Sequence, residues 1–199
     1  MKKIIKTTVK QHKDIIQDTR KYIINTARHL FSDFSYLGVS MSDIAEKLNI
    51  TKAALYYHFK GKEEIYRKVL DDVFNDLNLL IMEVLKETTI EKKLQKLIKN
   101  YLDFGCNEKN LVKALMIKLT PTDSQIKNYI IQLREQVSDM IQPVIEEMIS
   151  YKKITQKIDS KLLTSLITGM MDGILLEYSF LNKKIDLKSV SSQIIAVLF

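Results

Sequence analysis

The chain has 199 residues, of which 46% are hydrophobic and 28% charged, with a formal net charge of +7; this is ordinary for a soluble globular protein and long enough for one or two domains with their own cores. A single cysteine, Cys106, excludes an internal disulfide and fits a reducing cytoplasm, and no run of about 18 uncharged apolar residues is present to cross a membrane. With only His12, His29 and His58, no Ser-His-Asp spacing, no glycine-rich phosphate loop and no Cys/His metal set, the sequence reads as neither an enzyme nor a metalloprotein, and no cofactor is expected.

In chain order, the N-terminus MKKIIKTTVKQHK is basic but has no apolar run behind it to make an export signal, so residues 1 to about 10 read as a mobile arm. A long helix is expected from about Gln11 to Phe34, on which Ile16, Ile23, Ala27, Leu30 and Phe31 recur toward one core while His12 and His29 stay at the surface. Ser40 followed three residues later by Asp43 is a capping-box pattern that starts a second helix, and Ile44, Ala45 and Leu48 give it an apolar face. Asn49 and Ile50 break that pattern. Thr51 can then cap a third helix in which Leu55 and Phe59, four apart, point to the same interior, so Ser40 to Glu64 reads as a helix-turn-helix.

At about 100° per residue, the side of the third helix opposite Leu55 and Phe59 carries Ala53, Tyr57 and Lys60. Lys52, Tyr56, Tyr57, His58 and Lys60 supply donors suited to phosphate oxygens and base edges, small Ala53 lets the backbone approach a partner, and nothing acidic stands among them. Lys52 and Lys62 each lie in the first turn of a helix, where a cation opposes the macrodipole by roughly 0.3–1 kcal/mol. A bound phosphate reverses that sign, so the two helix starts read as anion sites, and duplex DNA is the partner they fit; the alternative is a solvated basic face. Charge distribution agrees: residues 1–66 hold 12 Lys+Arg against 7 Asp+Glu, residues 67–199 hold 19 against 17.

Ile23 to Tyr66 resembles the DNA-binding domain of the TetR family of bacterial transcriptional regulators. IINTARHLF (Ile23 to Phe31) is similar to the family's first-helix core, Ser40 to Ala45 to its second-helix start, TKAALYYHF (Thr51 to Phe59) to its recognition helix and KEEI (Lys62 to Ile65) to the start of its fourth helix. The resemblance implies that Ser40, Thr51, Tyr56, Tyr57, His58 and Lys62 contact phosphates and that Lys52 and Ala53 lie nearest the bases. The chain departs from the family at Ser35, where a glycine usually follows the first helix; at Ala53, where a glycine or small residue is usual, it has alanine. Ser35 must then accept a less comfortable backbone conformation, or the helix ends differently near Gly38.

A fourth helix is expected from about Lys62 to Glu87, with Ile65, Val69, Val73, Leu77, Leu80 and Val84 at helical spacing. Further helices are expected at about 91–104, 109–119, 122–151, 158–181 and 187–198. The whole is an all-α chain of about nine helices, divided into an N-terminal helix-turn-helix domain (1–66) and a C-terminal helical domain for ligand binding and dimerisation (67–199). Thr120, Pro121 and Asp123 are placed as cap, first-turn proline and third-position carboxylate, while Pro143 is expected to kink or divide its helix.

In the second domain Met82, Met116, Met140, Met148, Met170 and Met171 suit an adaptable apolar pocket or simply fill core gaps. Asp172 and Glu177 interrupt an apolar helix, where a carboxylate could hold a cationic ligand, pair across an interface or face water. The candidate ligand contacts are Met116, Met140, Met170 and Glu177. Thr168, Gly169 and Gly173 allow close helix approach, and Leu187, Val190, Ile194, Val197 and Leu198 form an apolar stripe, so a homodimer through the last two helices is expected. The function so implied is a cytoplasmic repressor that binds a palindromic DNA operator and is released by a small, largely apolar effector, with no membrane partner. The alternative is an effector-independent DNA-binding architectural or cell-division factor of the same fold.

Overall fold

The structure is a computed structural model that describes residues 2–108, 111, 124–151, 159–181 and 186–198. Apart from residue 111, the expected helix at 109–119 lies outside the described residues, as do Met116 and the Thr120, Pro121, Asp123 start signal. Among the described residues there are eight α-helices and no strand: α1 (Lys2–Phe34), α2 (Met41–Lys47), α3 (Lys52–His58), α4 (Lys62–Val84), α5 (Ile90–Asn107), α6 (Ser124–Tyr151), α7 (Ser160–Leu181) and α8 (Leu187–Leu198). The chain divides into two compact units, residues 1–72 and 73–199.

The expected N-terminal arm is helical instead: α1 begins at Lys2. Its first turns contain neither glycine nor proline, and once a helix has a nucleus each added residue contributes a hydrogen bond at little further cost. At its other end the helix closes through Ser35, whose φ of 64° is left-handed and whose N–H donates to the Phe31 carbonyl at 3.0 Å. Gly38 has no positive φ but is sterically required, because a Cβ there would lie 2.2 Å from the Phe34 carbonyl oxygen.

The turn between α2 and α3 is a Schellman closure. Asn49 sits at φ 54°, its N–H donating to Glu46 O, and the Ile50 N–H reaches back to Ala45 O, both at 3.0 Å. Asparagine tolerates this conformation, and the closure turns the chain sharply enough for α3 to lie against α2. Ile23, Ala27, Phe31, Ile44, Ala45, Leu48, Leu55, Phe59, Ile65, Tyr66, Val69 and Leu70 are all buried in this unit, whereas Ile16 and Leu30 are only half-buried.

In the second unit α4 continues with Val73, Leu77, Ile81 and Val84 buried; Ile81 takes the core place expected for Leu80, which is only half-buried. Amphipathic α5, capped by Thr89, packs against α6, α7 and α8. Gly105 permits one of these contacts: a Cβ there would stand 2.3 Å from Leu175 Cδ1. Pro143 does not divide α6. Ile141, Val144, Ile145 and Met148 around it are all buried, and at about 1.5–3 kcal/mol each their burial exceeds the roughly 3 kcal/mol cost of an interior proline. Ile194, expected on an interface stripe, is buried within the chain; the side chains of Leu187, Val197 and Leu198 lie outside the described residues.

Asp172 is also buried, accepting from Tyr101 Oη and from Arg134 Nη2, each at 2.6 Å, and so ties α7 to α5 and α6. Burial and the neighbouring carboxylate push the Tyr101 hydroxyl well above its usual range, which keeps it a donor.

Because Leu55 is the buried anchor of a short helix, Leu55→Ala is expected to cost about 2–5 kcal/mol in chemical denaturation followed by circular dichroism. A cost below about 1 kcal/mol would mean that this core is held elsewhere.

Candidate nucleic-acid interface

Each short helix of the first unit carries its own N-cap. The Ser40 hydroxyl accepts the Asp43 N–H at 3.2 Å while Asp43 Oδ2 accepts the Ser40 N–H at 2.7 Å, a complete capping box. Thr51 Oγ1 accepts the Ala54 N–H at 3.1 Å. Thr51 Oγ1 acts as an acceptor toward its helix and retains its own proton for outward donation. Ser40 and Thr51 are exposed, as phosphate contacts require.

With Leu55 and Phe59 turned inward, α3 exposes Lys52, Ala53, Tyr56 and Tyr57, the last at 71% of its free surface. Lys60, just beyond the helix, is exposed too. α3 contains no carboxylate. His58 is half-buried, edge-on to the Tyr57 ring at 5.1 Å, and its Nδ1 is buried without a hydrogen-bond partner, so Nδ1 is not the atom that would reach a phosphate.

Lys62, at the start of α4, is less detached than its position in sequence suggests. Its Nζ donates to the Tyr36 carbonyl at 2.8 Å and lies 4.2 Å from the centre of the Tyr36 ring, which in turn rests on Tyr66 at 4.6 Å. Burial pulls the ammonium below its ordinary pKa, with Asp43 opposing the shift. One of its three donors is thus committed to the loop after α1.

Arg20 and Glu64 belong to the same neighbourhood and were not singled out from the sequence. The Arg20 guanidinium donates from Nη1 to the His58 carbonyl and from Nη2 to Glu64 Oε1 at 2.9 Å, and it stacks over the Phe59 ring at 4.0 Å. Glu64 Oε2 accepts the Lys60 N–H at 2.8 Å. Glu64 at the third position of α4 was a legible cap signal; Arg20, 44 residues away, left none.

The expected DNA contacts Ser40, Thr51, Lys52, Ala53, Tyr56, Tyr57, His58 and Lys62 therefore all lie in the first unit, on α3 and at the starts of α2 and α4. The ligand candidates fare unevenly: Met140 and Met170 are half-buried, Glu177 is exposed, and the buried carboxylate is Asp172, already paired. Among the described residues no group of three His, Cys, Asp or Glu is placed to hold a metal, and no helix is long and apolar enough to cross a membrane.

The Ser40 backbone N–H, then its hydroxyl, hold the Asp43 carboxyl below the usual range. A lowered folded-state pKa means that Asp43 contributes stability in full above the unfolded value of about 3.9 and loses it as pH falls through the lower folded value. Asp43→Asn is accordingly expected to lower Tm at pH 7 and to leave it unchanged well below that range. An equal deficit at both pH values would assign the loss to shape instead of charge.

Comparison with known proteins agrees with this geometry. Residues 23–69 match the family model of bacterial regulatory proteins, tetR family, and residues 70–199 match that of the YsiA-like protein, C-terminal region. The biofilm operon icaADBC HTH-type negative transcriptional regulator IcaR of Staphylococcus epidermidis is 33% identical over 118 residues, covering 59% of this chain; the match spans 64% of that relative's length. Two solved structures share the fold: the fatty acid degradation regulator FadR from Bacillus halodurans (TM-score 0.77, 17% identity, 90% of this chain and 93% of that one) and the transcriptional regulator FadR from Bacillus subtilis in complex with stearoyl-CoA (TM-score 0.75, 20% identity, 88% and 95%). With both halves matched by family models and the helix-turn-helix in place, the chain belongs to the TetR family, a family of transcriptional regulators and not of enzymes.

Proposed function

We propose that the chain is a cytoplasmic transcriptional repressor that binds a palindromic operator as a homodimer and is released by a small, largely apolar ligand. Residues 1–66 would form the DNA-binding domain and 67–199 the ligand-binding and dimerisation domain. The observation that carries this reading is α3, whose exposed side presents Lys52, Ala53, Tyr56 and Tyr57 with no carboxylate among them. Phosphate contacts from Ser40, Thr51, Tyr56, Tyr57, His58 and Lys62 would fix register, leaving Lys52 and Ala53 to meet base edges. The staphylococcal relative is described as a negative regulator, which supports repression over activation.

The homodimer is supported by α7. Leu162 and Leu166, 60% and 61% exposed, are followed at helical spacing by exposed Gly169 and Gly173, a face of leucines and small residues that a second copy would cover. Together with α8 it would supply the two helices of the interface, bringing two copies of α3 about 34–36 Å apart, or a multiple, as successive half-sites demand. Stearoyl-CoA in the Bacillus subtilis neighbour supports an effector with an apolar chain, and Met140 and Met170, with Met116, would be its flexible contacts. A coupling of about 1–3 kcal/mol would suffice for release, and it must be reciprocal.

Two mutants separate the DNA contacts. Lys52→Ala is expected to relax sequence preference, whereas Lys62→Ala should weaken all sequences alike and reduce the salt slope by about one unit. Indistinguishable behaviour would show the two assignments wrong. For the effector, stearoyl-CoA should bind the DNA-bound chain about 5–150-fold more weakly than the free chain. Binding with equal affinity in both states would favour the effector-independent DNA-binding factor.

A further inference from the structure

The C-terminal end of α3 and the N-terminal end of α4 are joined by Phe59, Lys60 and Gly61 alone, and Phe59 is extended at φ −139°, ψ 135°. No regular hydrogen-bond ladder crosses this joint, so other groups must set the angle between the helices. Arg20 brings a cation to the last carbonyl of α3, at His58, where the helix dipole favours positive charge. Glu64 places a carboxylate in the first turn of α4, where the dipole favours negative charge, and holds the Lys60 N–H within the joint. The two are salt-bridged at 2.9 Å, and the Arg20 guanidinium carbon stands 4.0 Å over the ring of Phe59, the buried residue between them. One planar group thus touches the end of α3, the joint and the start of α4.

We propose that Arg20 and Glu64 are positioning residues for operator recognition: the pair sets the angle at which α3 leaves α4, and with it whether Lys52 and Ala53 meet base edges once the phosphates are engaged. This rests on the DNA-binding reading for what α3 docks against. Base contacts tolerate displacements of only about 0.5 Å, whereas long flexible side chains follow phosphates through a small tilt. Loss of the clasp should therefore remove sequence preference and spare non-specific affinity.

The test uses the full chain, a duplex that the wild type selects from a random-sequence pool, and a shuffled duplex of the same composition. Arg20→Met keeps the apolar stem over Phe59 and removes every donor. It is expected to lower affinity for the selected duplex about 10-fold or more, with affinity for the shuffled duplex and the salt slope unchanged. Glu64→Gln should show the same pattern, and the double mutant should be little worse than either single one, as groups acting as one unit behave. In the uncomplexed protein, amide exchange at Lys60 and along α3 should quicken in both variants, with no change at Ile23. If Arg20→Met does not fold, Glu64→Gln alone carries the comparison, since it leaves the His58 contact and the Phe59 stacking in place.

Equal losses on both duplexes, with the slope reduced by about one unit, would make Arg20 a phosphate ligand and overturn the proposal. Unchanged affinity for the selected duplex would overturn it equally. If the wild type selects no duplex, it is the DNA-binding reading that fails; the clasp is then decided by amide exchange, and unchanged exchange at Lys60 in Arg20→Met overturns it.

Discussion

A seven-residue helix has too few internal hydrogen bonds to persist in water, where even alanine-rich helices need about 12–15 residues. α3 exists because Leu55 and the Phe59 that follows it are buried against the first unit's core, and which of its side chains face outward follows from that constraint. Lys52, Ala53, Tyr56 and Tyr57 are exposed because Leu55 and Phe59 are not. The remaining instability of so short an element is met by its ends: Thr51 caps one, and the Arg20 guanidinium donates to the last carbonyl at the other.

The surrounding elements serve the same geometry. The Asn49 closure delivers the chain from α2 into α3 within a few residues, and the Ser40–Asp43 capping box completes an α2 that is equally short. Lys62 holds the loop after α1 through Tyr36, whose ring joins Phe31 and Tyr66 in an aromatic cluster. Charges here do more for geometry than for bulk stability. Arg20 and Glu64 are about one-third exposed, a setting in which an ion pair by itself contributes at most about 1 kcal/mol, so its value lies in where it holds the two helix ends.

Features written in short-range sequence were legible; those that depend on distant packing were not. Ser40, Asp43 and Thr51 could be read as caps because a cap is settled within three residues, and buried Leu55 followed from helical spacing, whereas Phe59, expected on the same helix, is buried as the extended residue just beyond its end. At Ser35 it was the family resemblance, not the local sequence, that pointed either to a strained residue or to a different helix end, and Ser35 adopts the left-handed conformation. Arg20 was missed because its partners lie 38 and 44 residues away and nothing in its own turn marks it. Pro143 does not divide its helix, because the burial of Ile141, Val144, Ile145 and Met148 outweighs the local cost of an interior proline. Ile194 and Leu80 show a similar limit, since periodicity gives a stripe but not which neighbour covers it. Glu177 and Asp172 were equivalent in sequence, and only the arrival of Tyr101 and Arg134 from other helices distinguishes the buried carboxylate from the exposed one.

The central claim, that the outward side of α3 is the surface that meets DNA, is tested most directly by hydrogen exchange of the full chain with and without a duplex it has selected. Protection gained over residues 40–62, strongest at 51–58 and absent from α6, is the expected result. Protection confined to the second unit, with α3 exchanging as in the uncomplexed protein, would contradict it.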